Sequence, residues 1–231
     1  MEKIFAEAEA MILISGKSYL PLKRLMDIVG ALGALLIFSP LMVGVALRVK
    51  RELGSPVVFA QPRPGRGEKI FLNYKFRSMR QAVDASGRPL PDQERLTPFG
   101  RELRRSSLDE LPELWNVLKG DMSLVGPRPL LVDFLPLFSE EEARRHSVRP
   151  GLTGLAQVSG RNAMSWEKRL QYDLEYVDRF SLWLDLKILW RTVAAVLRRN
   201  GIDAGEGETV IAPPTEIKRP RALEKIKGAK D

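Results

Sequence analysis

The run LMDIVGALGALLIFSPLMVGVAL, residues 25–47, decides the architecture of this chain, because its 23 residues carry one charge, Asp27. As a straight helix it would be about 34 Å long, enough to cross a hydrocarbon core of about 30 Å. Two features argue against a simple crossing. Ser39-Pro40 sits in the middle, where the proline deletes a helical hydrogen bond and bends the axis, and Ser39 can satisfy backbone groups freed by the break. Basic residues flank both ends, Lys23 and Arg24 before, Arg48, Lys50 and Arg51 after. Such flanks favour the cytoplasmic side, so both ends belong together on one side. The expectation is a re-entrant membrane helical hairpin turning at Ser39 and Pro40. A kinked single span and a buried core helix are the competing readings.

Composition narrows the rest. The chain of 231 residues is long enough for one large domain or two small ones, and its 44% hydrophobic share can build a core. A net charge of +8 points to an anionic partner: nucleic acid, a membrane surface or phosphorylated substrates. The absence of cysteine excludes disulfides, thiolate-bound zinc and a thiol nucleophile. No internal repeat and no Walker-type loop is present, and residues 1–20 lack the order of a secretory signal.

The chemistry concentrates in Ser106-Ser107-Leu108-Asp109-Glu110-Leu111-Pro112-Glu113-Leu114-Trp115-Asn116, directly behind Arg101, Arg104 and Arg105. Pro112 fits only the first turn of a helix, so a helix is predicted to begin near Leu108 to Glu110. Asp109 then stands at or beside the N-cap, where backbone N–H groups and the helix dipole favour its ionised form. Adjacent carboxylates beside arginines suit phosphate transfer, with one carboxylate as nucleophile, the other on a divalent cation and the arginines on phosphate oxygens. Alone, the same pattern is an ordinary capped surface helix.

Around this stretch, Ser55 to Gln61 and Ile70 to Met79 read as strands, the second carrying Lys75 and Arg77 on one face. Pro62 to Gly67 reads as a basic turn, and residues 81–96 as a mobile surface loop. Lys119-Gly120 ends the central helix, and Gly126-Pro127-Arg128-Pro129 holds Arg128 on a stiff turn. A short charged helix over residues 139–146 carries His146, which is weak evidence for acid–base work. A glycine-punctuated segment places Arg161 after Gly160. Two amphipathic helices follow, Trp166 to Phe180 and Ser181 to Arg199, the latter with tryptophans suited to interfacial docking.

Five motifs occur in order: Lys75-Phe76-Arg77-Ser78-Met79, Ser107 to Pro112, Leu118 to Pro129, Pro150 to Gly154, and Gly160-Arg161-Asn162-Ala163. This order resembles the bacterial sugar transferases, the small monotopic polyprenyl-phosphate phosphoglycosyl transferases that begin glycan assembly, over about residues 20–200. The resemblance implies an α+β protein: a re-entrant hairpin joined to a small, mostly helical cytoplasmic domain with short strands and interfacial helices. Its divisions are 1–20 an N-terminal extension, 21–51 the membrane helix, 52–200 the catalytic domain, and 201–231 a basic, disordered tail.

The implied reaction moves a sugar 1-phosphate from a nucleotide diphosphate sugar, usually a UDP-sugar, to polyprenyl (undecaprenyl) phosphate, with release of UMP. It would be a first membrane step of exopolysaccharide, capsule, O-antigen or glycoprotein glycan synthesis. By resemblance Asp109 is the nucleophile, Glu110 helps Asp109 hold Mg²⁺, and Arg104, Arg128 and Arg161 bind phosphate, with Lys75 and Arg77 close by. The expected partners are the donor, the polyprenyl acceptor and membrane lipid, at the cytoplasmic face of a bacterial inner membrane, with no nucleic acid. The residues alone leave three rivals: a membrane-anchored metal-dependent phosphate-ester hydrolase, a lipid-docking scaffold, and a nucleic-acid binder, although no recognition-helix signature is present.

Overall fold

The computed structural model describes residues 16–88, 90–160, 164–197 and 216–222. The long element is α1, Leu20–Leu53, an α-helix of 34 residues, hence about 51 Å. It is long and apolar enough to cross a membrane. It runs continuously through Ser39-Pro40, so the expected pair of helices joined by a turn is here one helix. The proline cannot donate to the Leu36 carbonyl, and the Ser39 hydroxyl takes that role at 2.9 Å. Its middle is bare: Leu36 is 68% and Ile37 74% exposed.

Both ends of α1 are fastened to the same domain. At its start, Lys23, Asp27 and Ala31 recur every fourth residue and form one buried stripe. Near its finish, Val45 and Val49 pack with Phe76 and Leu103.

That domain is α+β. Strand β1, Val58–Pro64, pairs antiparallel with β2, Ile70–Phe76, so Pro62 to Pro64 belong to the strand and the turn is confined to the residues after them. Helix α2, Pro98–Arg105, is capped by the Thr97 hydroxyl, which accepts from the Gly100 N–H. The segment from 81 to 96 is irregular apart from a helical turn, Asp92–Arg95, and is anchored by a bridge between Met79 and Leu96. Helix α3, Glu113–Lys119, ends at Gly120, whose φ of 89° suits a residue without a side chain. A Cβ there would also press on the Arg24 guanidinium, which caps α3 by donating to the Val117 and Leu118 carbonyls at 2.6 Å each.

Strands β3, Ser123–Val125, and β4, Gly151–Thr153, form a parallel pair. Gly126, Gly151 and Gly154 meet there backbone to backbone, with no room for a Cβ on any of them. Three helices close the domain: α4, Leu155–Ser159; α5, Trp166–Arg179; and α6, Leu182–Leu197. On α6, Trp183 and Trp190 are exposed, in line with an apolar stripe that the domain does not cover.

The expected tail is partly folded. Residues 216–222 dock on the body, where the Lys218 and Arg219 N–H groups donate to the Pro136 carbonyl and Ala222 joins the core around Phe138 and Trp166. Residues 1–15, 198–215 and 223–231 lie outside the described residues, so the other readings made for both ends fall there.

Polar groups lock α1 to this body. The Asp185 carboxylate, 2% exposed, accepts from the hydroxyls of Tyr19 (2.8 Å) and Tyr176 (2.7 Å) and from the Lys23 ammonium (2.5 Å). Lys23 also donates to the Val125 carbonyl, while Asp27 accepts from the Ser123 hydroxyl and the Leu124 N–H, each at 2.9 Å. Asp185→Ala should therefore destabilise the protein by about 3–5 kcal/mol, because it strands a buried ammonium. Thermal unfolding in detergent should show a fall on the order of 10 °C. Lys23→Met combined with Asp185→Leu should recover part of that loss.

Candidate active site

Helix α2 does not run straight into α3. Ser107, at φ 56°, turns the chain into a tight 3-10 turn, Leu108–Glu110, with Pro112 at the start of α3. Asp109 thus sits in a separate turn ahead of the α-helix and not on its N-cap. The turn faces β2, and α3 is glued to the same strand by Asn116. The Asn116 side chain accepts from the Tyr74 N–H (3.1 Å) and donates to the Leu72 carbonyl (2.7 Å).

A cluster of charged and polar side chains meets between β2, the turn and the loop after β3, joined by Arg104 from α2 and Glu113 from α3. Lys75 donates to Glu110 at 2.8 Å and lies 3.4 Å from Glu113. Arg128 forms a charge-assisted pair with Glu110 from the opposite side. Asn73 donates to Glu113 at 3.1 Å. Arg104 donates through Nε to the Ser78 hydroxyl at 2.8 Å, and its positive charge acts on Asp109. The loop carrying Arg128 is itself held. Arg145, paired with Asp173, donates to the Arg128 carbonyl at 2.8 Å, and Arg63 donates to the Pro129 carbonyl at 3.3 Å.

The charges in this site are unequal partners. Burial pushes the Asp109 carboxyl up, with repulsion from Glu110 adding to it, to about 7. This reverses the sequence expectation of an Asp kept ionised by a helix dipole, because desolvation outweighs the end of a short turn. Glu110 goes the other way: burial opposes its charge, but Arg128 and Lys75 overcome that and hold it well below the usual carboxylate range. Glu113 is raised by burial and by Glu110. Burial disfavours the Lys75 ammonium, yet attraction to Glu110 prevails and raises it. The result is one permanent anion clasped by cations beside a carboxylate poised near neutrality.

The structure thus brings together Lys75, Arg104, Asp109, Glu110 and Arg128. Arg77 is elsewhere: its guanidinium donates to the carbonyls of Leu53 and Ser55, where it seals the C-terminal end of α1. It follows β2 by one residue, so the alternation that would have aligned it with Lys75 has ended. Arg161 lies outside the described residues. His146 is buried and pushed down to about 3, by burial and then by Arg145, so it stays neutral and serves packing. Glu113, Asn73 and the supports Arg63 and Arg145 are absent from the sequence expectation. Glu113 lies in the same Ser106 to Asn116 stretch, three positions after Glu110, and the Lys75 ammonium reaches both carboxylates.

Among the described residues no three His, Cys, Asp or Glu side chains form a ready metal cage. Asp109 and Glu110 offer two hard oxygen donors, and the strong negative charge of Glu110 already collects cations. That donor set fits Mg²⁺, which binds through one or two carboxylates and completes its shell with substrate phosphates and water.

A carboxyl raised on folding binds a proton that the unfolded chain has released. Stability from Asp109 is therefore lost as pH rises from its ordinary value of 3.8 toward about 7. Asp109→Asn should unfold at a higher temperature than the parent at pH 8 in metal-chelated buffer, and this gap should close toward pH 4.

Comparison with known proteins places this site in a family. The model described as "Bacterial sugar transferase" matches residues 18–199. A Bacillus subtilis protein named "Uncharacterized sugar transferase EpsL" is 54% identical over 181 residues, 78% of this chain and 90% of that one. The undecaprenyl-phosphate galactose phosphotransferase of Salmonella typhimurium is 43% identical over 197 residues, 78% of this chain but 41% of its own. The UDP-glucose:undecaprenyl-phosphate glucose-1-phosphate transferase of Xanthomonas campestris pv. campestris is 44% identical over 186 residues, 76% of this chain and 38% of its own. The chain thus spans about two fifths of these last two relatives. With a match that covers its long apolar helix, its carboxylate turn and its arginine loop, the chain belongs to the bacterial sugar transferase family.

Proposed function

We propose that this chain transfers a sugar 1-phosphate from a UDP-sugar to polyprenyl phosphate through a covalent intermediate on Asp109. The observation that carries this reading is the gathering of Lys75, Arg104 and Arg128 around the adjacent carboxyls of Asp109 and Glu110 in one turn. An Asp Oδ atom attacks the sugar-bearing phosphorus. The bond from that phosphorus to the bridging oxygen breaks, and UMP leaves with the oxygen. An acyl phosphate carrying the sugar remains. An oxygen of polyprenyl phosphate then attacks the same phosphorus, the bond to Asp109 breaks, and the carboxylate is regenerated as polyprenyl diphosphate sugar departs. Two half-reactions spare the enzyme from holding a soluble and a lipid substrate together.

A carboxylate approaching a diphosphate meets repulsion, which cations must offset. Arg128 and Lys75 are spent on Glu110 in the structure, and an incoming diphosphate competes for them. Arg104 adds positive charge beside Asp109. Mg²⁺ held at Glu110 and Asp109 would neutralise the diphosphate.

The fastening of α1 supports a monotopic reading. Arg24 grips α3 at one end of the helix and Arg77 grips the other, so both ends belong to one water-facing, charged domain. A full crossing would drag that domain through hydrocarbon. The bare middle around Leu36 and Ile37 then dips into lipid from the cytoplasmic face of the inner membrane, with Ser39 and Pro40 at its deepest point. The glycan this step would begin is an exopolysaccharide, a capsule, an O-antigen or a glycoprotein glycan.

Donor alone should give a burst of UMP and a sugar phosphate adduct on Asp109 by mass spectrometry, with sustained turnover requiring polyprenyl phosphate. Asp109→Asn should abolish both. UMP release that continues without acceptor would favour a hydrolase instead. Arg128→Ala should slow adduct formation by about 10²–10³-fold, the usual cost of one electrostatic stabiliser. The chain has no cysteine, so Ser18→Cys and Arg66→Cys are clean reporters. Both should react with an impermeant thiol reagent from the same side of sealed vesicles, and opposite sides would refute the monotopic arrangement.

A further inference from the structure

A groove of about 270 Å³ lies between the second half of α1 and helix α2, lined by Leu41, Gly44, Val45, Phe99, Leu103 and Leu108, with Arg48, Glu102 and Ser106 at its polar side. Its place in the fold is telling. One wall is α1 just after Pro40, where Leu41 is 42% exposed in the stretch read above as lipid-facing. The other wall runs into the catalytic turn, since Leu108 immediately precedes Asp109. The lining is thus mainly apolar, with one end of its sequence on the lipid-facing stretch of α1 and another, Leu108, next to the nucleophile, and with Arg48 and Glu102 as its charged members.

We infer that this groove receives the phosphate-proximal isoprene units of the polyprenyl phosphate acceptor, an assignment that rests on the transfer reaction proposed above. Three observations choose this occupant. The groove is slightly smaller than the usual 300–1,000 Å³ of a small-molecule pocket, which suits the first few isoprene units and leaves the rest of the chain in the bilayer. A cation stands on it: the Arg48 guanidinium lies over the Phe99 ring, 4.6 Å from its centroid, so it is held in position to meet an anionic headgroup. The carboxylate on the groove, Glu102, is engaged by Arg105 at 2.8 Å, which lessens its repulsion of a phosphate. An isoprenoid lying in the groove places its phosphate beside the turn that carries Asp109. A phospholipid acyl chain would fit the apolar part equally, but nothing in its chemistry requires the groove to end at the nucleophile.

Gly44 gives a clean test, because a side chain added there meets no atom within 4 Å and points into open space. Gly44→Leu fills the groove while improving helix propensity. Gly33, on the same helix but outside the groove, is equally open, so Gly33→Leu controls for added bulk in the membrane segment. In phosphatidylcholine–phosphatidylglycerol vesicles, Gly44→Leu should raise the KM for undecaprenyl phosphate by about tenfold or more, the scale of a blocked apolar subsite. Adduct formation from donor alone should stay at the parent rate, showing a folded catalytic domain. Gly33→Leu should keep the parent KM. An unchanged KM in Gly44→Leu, or an equal rise in both variants, would overturn the assignment.

A benzophenone amino acid at position 41 reads the groove without turnover. Photolysis should attach undecaprenyl phosphate, and equal capture of phospholipid whether or not undecaprenyl phosphate is present would refute the proposal. This readout stands apart from the chemistry: a parent chain that forms no adduct on Asp109 counts against the transfer mechanism, whereas capture at position 41 reports the groove alone.

Discussion

The buried carboxylate of Asp185 is the constraint on which the rest of the molecule depends. It gathers Tyr19, Lys23 and Tyr176, and so ties the entrance of α1 to α5 and α6. An ammonium in an apolar setting is tolerable only with such a partner, so the helix has one seating on the domain. Lys23 and Asp27 extend the attachment to β3, through the Val125 carbonyl and through Ser123 and Leu124. Strand β3 leads directly into the loop of Arg128. The apolar helix α1 and the arginine that faces Glu110 therefore share one rigid support, in which three glycines let the β3 and β4 backbones close on each other.

That support explains how opposite electrostatic fates coexist at two neighbouring carboxylates. Glu110 receives Lys75 and Arg128 and stays ionised, while Asp109, buried beside this fixed negative charge, is lifted toward neutrality. Desolvation acts on both, and the difference lies in which one the cations reach. In the transfer proposed above, a carboxylate that is costly to keep charged would gain from a bond to phosphorus, which removes the charge. Arg63 and Arg145 hold the backbone of the 127–129 turn, so the direction of the Arg128 guanidinium depends on them.

Part of this was legible in the residues. The apolar run marks a helix long enough to cross a membrane, though its Ser-Pro pair does not break that helix, and Gly120 marks the end of α3 through a backbone angle that few other residues accept. The Asp109-Glu110 pair with its arginines marks the charged cluster that the fold assembles with Lys75 and Arg128. Arg77 shows where such reading stops: two positions from Lys75 it should share a strand face, but the strand ends between them and its guanidinium turns to the carbonyls of Leu53 and Ser55. The chain after 200 reads as featureless, yet residues 216–222 find a docking place that only the folded body creates, against Pro136, Glu68 and the core around Phe138.

The sequence by itself determined which groups are available: a long apolar segment, two adjacent carboxylates, a set of cations, and glycines at places that admit no side chain. These follow from composition and local backbone preference, which act over a few residues. Only the tertiary structure decided which cation meets which carboxylate, that Asp109 is raised and not held ionised, and that both ends of α1 rest on one domain. Desolvation and charge pairing depend on distances between residues such as Lys23 and Asp185, or Lys75 and Glu110, far apart along the chain. Those distances exist only once the chain has folded.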